Sequence, residues 1–208
     1  SRSDTEVKTE QTLQKEIHQF LSTYKYAFVI CSSTNIDRIG SICQATPKGK
    51  YFLCDAYQVD VLEKVKELCG HFTTLYQFEK ALSYGANLDE KMEQQGFCML
   101  IRGQYTCKSV LDYYTKNHTD ETILLYSMWD GYLIEPENQY AKLIKKFKNV
   151  EHTHTSGHAT FEAIVEVCNT VKPKIAIIPM HTENRHKMDE AKMPYHIEYL
   201  GDGEIYKV

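Results

Sequence analysis

Short apolar segments alternate along this chain with longer segments of helical periodicity. The apolar runs cover 26–31 (YAFVIC), 50–55 (KYFLCD), 96–102 (GFCMLIR), 122–128 (TILLYSM) and 174–180 (KIAIIPM). Such continuous runs are typical of strands that are covered on both faces. Helical spacing of apolar residues is found at 10–24, 57–69, 108–116, 138–147 and 161–171. The alternation predicts an α/β fold, Rossmann-like, with a mostly parallel sheet and helices on both of its faces.

The composition limits the class of protein. Hydrophobic residues make up 42% of the chain and charged residues 25%, as in soluble globular proteins. No apolar run approaches the roughly 20 residues that span a bilayer, and the polar N-terminus has no signal-peptide core. Because the seven cysteines form no CxxC pair and lie mostly in apolar runs, they indicate buried, reduced thiols. We therefore expect a cytoplasmic protein without a membrane segment.

The net charge of −4 argues against an extended basic surface for nucleic acid, although it permits a small basic cleft. Two further regions have weaker patterns. Residues 78–95 are the least regular and are expected to form a helical excursion. Residues 196–208 (HIEYLGDGEIYKV) resemble a hairpin that turns around 201–203.

Polar loops follow the predicted strands, at the end of a parallel sheet where ligands bind. In SSTNIDR (32–38), Ser32, Ser33 and Asn35 can cap the following helix, whose free amides can hold a phosphate. Arg38 could add a bidentate clamp, or it could simply be solvated beside an ordinary cap. In SMWDGY (127–132), Trp129 is either an exposed ring that stacks on a base or sugar, or a core residue.

A histidine-rich segment, HTHTSGHA, covers 152–159. It lacks the aspartate of the HxHxDH zinc pattern, so we interpret His152 and His154 as strand or surface residues. His158 follows Ser156 and Gly157 at the start of a helix, where an imidazole would meet an anionic substrate. His181 directly follows the apolar run at 174–180, a position suited to a metal ligand.

The pairing of TSGHA with KPKIAIIPMHTE at this spacing resembles the last two motifs of the β-CASP metallo-β-lactamase nucleases, the group that contains ribonuclease J. SSTNIDR and SMWDGY are similar to two loops of the inserted β-CASP domain. The resemblance implies a β-CASP-like α/β domain at 1–150. It also implies that 151–208 is the C-terminal return segment of an incomplete metallo-β-lactamase domain. Thr182 stands where ribonuclease J-type members usually have glycine.

The resemblance also implies a chemistry. His158 matches the histidine that assists the leaving group or steadies the scissile phosphate, and His181 matches a late zinc ligand. Two zinc ions are expected in the parent protein. The chain lacks HxHxDH and the other upstream ligands, so we expect it to hold no zinc tightly, to be inactive alone, and to pair with a missing N-terminal metallo-β-lactamase half.

The expected function is therefore the β-CASP portion of a zinc-dependent hydrolase that cuts phosphodiester bonds, with RNA or single-stranded nucleic acid as its partner. Two alternatives remain open: a small-molecule metallo-β-lactamase-type hydrolase and a non-enzymatic phosphate- or nucleotide-binding module. The absence of GxGxxG after the first strand disfavours a dinucleotide. The strand at 174–180 would normally complete a missing sheet. We therefore expect it to pair within the sheet of the first domain, to pair with another copy, or to remain exposed, and we predict a homo-oligomer through this segment.

Overall fold

A computed structural model describes residues 8–102, 107–155, 159–180, 182 and 185–207. Its contacts divide the chain into two compact units, 8–155 and 156–208 with 1–7. The helices of the first unit are α1 (Glu10–Thr23), α2 (Ile36–Ala45), α3 (Ala56–Cys69), α4 (Asp89–Gln95), α5 (Lys108–Asn117) and α6 (Gln139–Ile144). Its strands are β1 (Tyr26–Cys31), β2 (Tyr51–Cys54), β3 (Ala81–Ser83), β4 (Phe97–Ile101), β5 (Thr122–Ser127) and β6 (Asn149–His152).

The six strands form one parallel sheet in the order β3-β2-β4-β1-β5-β6. This confirms the predicted α/β class. The central strand β1 pairs with β4 on one side and with β5 on the other, with Val29 opposite Leu100 and Leu125. All six residues of β1 and all six of β5 are buried, as continuous apolar runs predict for strands covered on both faces.

Each face of the sheet carries its own apolar core. Ala27 and Val29 of β1 pack with residues of α1, α2 and α3, including Ile17 and Ile42. The alternate β1 residues Tyr26, Phe28 and Ile30 pack on the other face with residues of α4, α5 and α6. The strand period of two therefore separates the residues of β1 between two layers of helices.

The cysteines behave as buried apolar residues. All seven are free thiols, and Cys31, Cys43, Cys54 and Cys98 are buried. Burial raises the pKa of the Cys43 thiol to about 11 and those of Cys31 and Cys98 to about 12. These thiols therefore stay protonated and unreactive at neutral pH.

Gly96 occupies a backbone position that excludes side chains. It lies between α4 and β4 with φ 77°, and a Cβ there would overlap the Lys25 carbonyl oxygen, which accepts a hydrogen bond from the Phe97 amide. Gly49 has a similar φ of 93° but nothing within 4 Å of its Cβ position.

The two glycines give a matched test of that steric restriction. We expect Gly49→Ala to cost about 1 kcal/mol from backbone strain, and Gly96→Ala about 2–3 kcal/mol, because the latter also displaces the first β1–β4 hydrogen bond. Urea unfolding followed by circular dichroism measures both. Equal losses would show that the contact with Lys25 contributes nothing.

The second unit contains α7 (Phe161–Val171), which has the predicted bounds, and a short 3-10 segment at Arg185–Ala191. The Thr160 hydroxyl accepts a hydrogen bond from the Ala163 amide and caps α7, and Lys172, with φ 52°, ends it. The described residues of α7 include no buried one.

Two predictions for this second unit are wrong. The segment at 174–180 is not a buried strand. It contributes one isolated parallel bridge, between Ile177 and Ile197, and Ile175 and Met180 are 55% and 80% exposed. The prediction of a C-terminal hairpin is also wrong. Residues 201–203 contain a turn, but no strand is found in the described residues on either side. An apolar strand needs neighbouring strands, and within this unit 174–180 has only that one bridge.

Two smaller differences concern the first unit. The region 78–95 is helical only in part, since it also contributes the edge strand β3. The edge strand β6 reaches residue 152, so the predicted domain boundary at 150 falls inside it; the assignment of 151–208 to a metallo-β-lactamase domain stays a prediction. In the described part of the chain, no helix has the length and apolar character needed to cross a membrane.

Candidate nucleic-acid interface

The polar loops of the first unit meet at one edge of the sheet. Because the strands are parallel, the loops after β1, β2, β4, β5 and β6 all leave from the same edge. The connection after β1 leads to β2 on one side, whereas the connection after β5 leads to β6 on the other. In doubly wound sheets a ligand crevice forms where neighbouring connections diverge in this way. The boundary between β1 and β5 is therefore the expected binding position.

The loop after β1 caps α2 as predicted. Asn35 is the N-cap, and its Oδ1 accepts a hydrogen bond from the Arg38 amide at 3.3 Å. The Ser32 and Thr34 hydroxyls lie 3.0 Å apart, and the Ser33 carbonyl accepts a hydrogen bond from Gln58 of α3 at 3.4 Å. These contacts fix the loop at the β1–β5 boundary. Phosphate binding by Ser32, Ser33 and Asn35 stays a prediction.

Arg38 is buried at the β1–β5 boundary. Its side chain is 1% exposed, and its Nη1 donates to the Ser127 hydroxyl of β5 and to the Thr153 carbonyl, both at 2.5 Å. Its Nε and Nη2 donate to the Glu10 carboxylate of α1 at 2.7–3.0 Å. Arg38 therefore ties α1, α2, the end of β5 and the chain after β6 together.

The alternative of a solvated Arg38 is wrong, because the side chain is buried and its guanidinium holds the Glu10 carboxylate. Phosphate binding by Arg38 stays a prediction. For a phosphate to take that place, the Glu10 carboxylate would have to move away, because the guanidinium fork is already in use. The structure gives Arg38 a structural role: it holds the Thr153 carbonyl and so fixes the backbone that directly follows β6.

Trp129 follows β5 and is exposed at the same edge. Its side chain is 54% exposed, and the neighbouring Tyr132 is 43% exposed. The two rings meet edge to face, with centroids 5.6 Å apart and an interplanar angle of 80°. The alternative of a core tryptophan is therefore excluded.

An aspartate–histidine pair lies beside Trp129. The Nδ1 of His152, the last residue of β6, is 2.9 Å from Oδ1 of Asp130. The His152 ring also packs against Tyr126, with centroids 5.3 Å apart. His152 is thus a strand residue with a carboxylate partner.

A second polar cluster follows β2 and β4. Asp55 caps α3 through the Gln58 amide at 2.8 Å, and Arg102 donates to the same carboxylate at 2.5–2.7 Å. The Arg102 guanidinium also lies over the Tyr57 ring, 4.6 Å from its centroid. This cluster places one arginine, Arg102, at the carboxyl ends of the strands.

Four residues singled out in the sequence, Ser156, Gly157, His158 and His181, lie outside the described residues. Their roles stay predictions. Within the described part of the chain, no three His, Cys, Asp or Glu side chains are grouped closely enough to hold a metal ion. The described residues therefore do not fit a zinc site by themselves.

Sequence reasoning missed Glu10, Ser127 and Thr153 as partners of Arg38. Glu10 lies 28 positions from Arg38 in the chain and Thr153 lies 115 positions away. No local pattern connects such positions. The apolar period of α1 places Glu10 on a helix, but only the packing of that helix beside α2 brings the carboxylate to the guanidinium.

Comparison with known proteins gives one family match and a similar fold. Residues 142–194 match the family model of the RNA specificity domain of Zn-dependent metallo-hydrolases. This match covers the end of α6, β6 and α7, and less than half of the chain. None of the curated proteins matches the sequence.

Among solved structures, the chain is similar to a protein of unknown function from Enterococcus faecalis V583. The TM-score is 0.62 and the sequence identity 16%, over 97% of this chain and 47% of that one. At this identity the likeness shows the fold alone. The chain thus spans about half the length of that protein.

Proposed function

We propose that this chain is the RNA-recognising part of a zinc-dependent hydrolase of phosphodiester bonds, of the β-CASP type that ribonuclease J represents. The observation that carries the proposal is the match of 142–194 to the RNA specificity domain of Zn-dependent metallo-hydrolases. The polar loops at the β1–β5 boundary are compatible with it. At that end of the sheet a strand of RNA would meet the exposed rings of Trp129 and Tyr132.

Under this proposal the chain binds RNA and the remaining half of the parent protein supplies most of the metal centre. A two-zinc site would activate water and stabilise the oxygens of an in-line displacement. His158 would contact the scissile phosphate or the leaving group, and His181 would be one zinc ligand. The described residues contribute binding and positioning: Arg38 holds the backbone that directly follows β6.

Exposed apolar side chains on the second unit support the proposal that a partner is missing. Val167, Val171, Ile175, Met180 and Ile205 are 55–84% exposed. Burial against a partner would remove the apolar surface of these side chains from water. We propose that the absent metallo-β-lactamase half covers them in the parent protein and that, without it, copies of this chain associate through them.

RNA binding by the isolated chain tests the proposal. We expect a labelled single-stranded RNA to bind, and its affinity to fall at least several-fold between about 50 mM and about 200 mM salt, because phosphate contacts release counterions. Fluorescence anisotropy measures this, with an uncharged peptide nucleic acid of the same sequence as control. Absence of RNA binding at the lower salt would contradict the proposal and favour a small-molecule substrate.

A further inference from the structure

The loop after β5 holds the Trp129 ring in an exposed position. A Cβ at Gly131 would overlap the six-membered ring of the Trp129 indole, so the ring lies directly on the glycine backbone. Around it, the Trp129 carbonyl accepts hydrogen bonds from the Tyr126 hydroxyl at 3.0 Å and from the Tyr132 amide at 3.2 Å. One side of the ring is therefore packed on the main chain, while more than half of the side chain stays exposed.

Neighbouring aromatic rings lie beside the Trp129 ring, which stays exposed. Tyr132 stands edge to face against Trp129, and the Tyr132 ring is in turn 5.9 Å from that of Tyr140 of α6. The Asp130–His152 pair lies on the same side of the sheet edge. Exposure of a large apolar ring to water does not stabilise the protein. The exposed face of an indole, however, binds a second flat ring by stacking.

We infer that Trp129, seated on Gly131 and flanked by Tyr132, is a stacking platform for one base of a single-stranded RNA. This inference rests on the proposed function and names the contact that would hold one base at the carboxyl end of β5. The platform recognises the flat face that every base has, so it binds without sequence preference. His152, placed beside it by Asp130, would face the sugar-phosphate chain of the stacked nucleotide.

Trp129 is the only tryptophan of the chain, so its intrinsic fluorescence reports this site alone. Titration with a short oligoadenylate is expected to quench the fluorescence. An oligonucleotide of the same length with abasic sugars should leave it unquenched, since it has the backbone but no base to stack. Equal quenching by both would overturn the inference.

Variants separate stacking from general binding. Trp129→Leu should weaken oligoadenylate binding about ten-fold, measured by anisotropy of an end-labelled oligonucleotide. Gly131→Ala, which keeps the indole but displaces it, should reduce both affinity and quenching. Phe72→Leu is the control. Phe72 follows the C-terminus of α3 and is 80% exposed, so its replacement should change neither the affinity nor the quenching. Circular dichroism melts verify that each variant is folded.

The outcomes distinguish the inference from the proposed function. If the oligonucleotide binds with full affinity to Trp129→Leu, and wild-type fluorescence stays constant, the platform is overturned while RNA recognition stands. If neither protein binds any RNA at low salt, the proposed function fails, and the inference fails with it. Quenching by oligoadenylate together with the ten-fold loss in Trp129→Leu supports both.

Discussion

Replacing Arg38 with methionine is expected to lower the free energy of unfolding by about 3 kcal/mol, because it removes the charged donor to two buried acceptors, the Ser127 hydroxyl and the Thr153 carbonyl. The loss removes the donors to Ser127 and to the Thr153 carbonyl and leaves the Glu10 carboxylate without its bidentate partner. Methionine fills much of the same volume, so the change isolates the hydrogen bonds and the charge. Urea unfolding followed by circular dichroism measures the effect.

Arg102→Met is the matched control for that substitution. Arg102 also binds a carboxylate, that of Asp55, but its side chain is 43% exposed, and exposed ion pairs contribute about 0–1 kcal/mol. In Arg38→Met the amide of Thr153, which donates to the Tyr126 carbonyl at 2.9 Å, should also exchange faster with solvent. Equal destabilisation by the two substitutions would contradict the structural role of Arg38.

The second large effect is expected for His158 and His181 in the natural protein that contains this chain. His158→Ala should lower the rate of RNA hydrolysis by about 10²–10⁴-fold with zinc retained, because a group that assists the leaving oxygen is lost. His181→Ala should lower both the rate and the zinc content, since it removes a ligand.

Zinc content by mass spectrometry and single-turnover hydrolysis distinguish these two roles. His186→Ala, in the 3-10 segment that follows His181, is the control and should change neither quantity. Loss of zinc in His158→Ala, or unchanged zinc and rate in His181→Ala, would show that the roles implied by the resemblance are wrong.

Much of the first unit was predictable because its signals are local. β1 and β5 are continuous apolar runs, and their burial on both faces follows from composition alone. The cap at Asn35 is a property of a single polar residue before a helix. Edge strands such as β3 and β6 carry weaker patterns, because one of their sides lacks a neighbouring strand and fewer apolar residues are needed.

The errors have a common physical cause. The segment 174–180 has the pattern of a buried strand, but a strand forms only where neighbours supply hydrogen bonds, and here it makes one bridge, at Ile177. The partners of Arg38 were missed for a related reason, since they are set by how α1 and β6 pack and not by any local spacing. Trp129 could be placed at a strand end from sequence, but its exposure depends on Gly131 and the surrounding tyrosines.

The most direct test of the account is hydrolysis of a single-stranded RNA by the natural protein that contains these residues, measured before and after removal of zinc. We predict that the protein cuts the RNA, loses that activity on chelation, and regains it when zinc is restored. A protein that binds zinc and hydrolyses a small-molecule ester or lactam but leaves RNA intact would contradict the account.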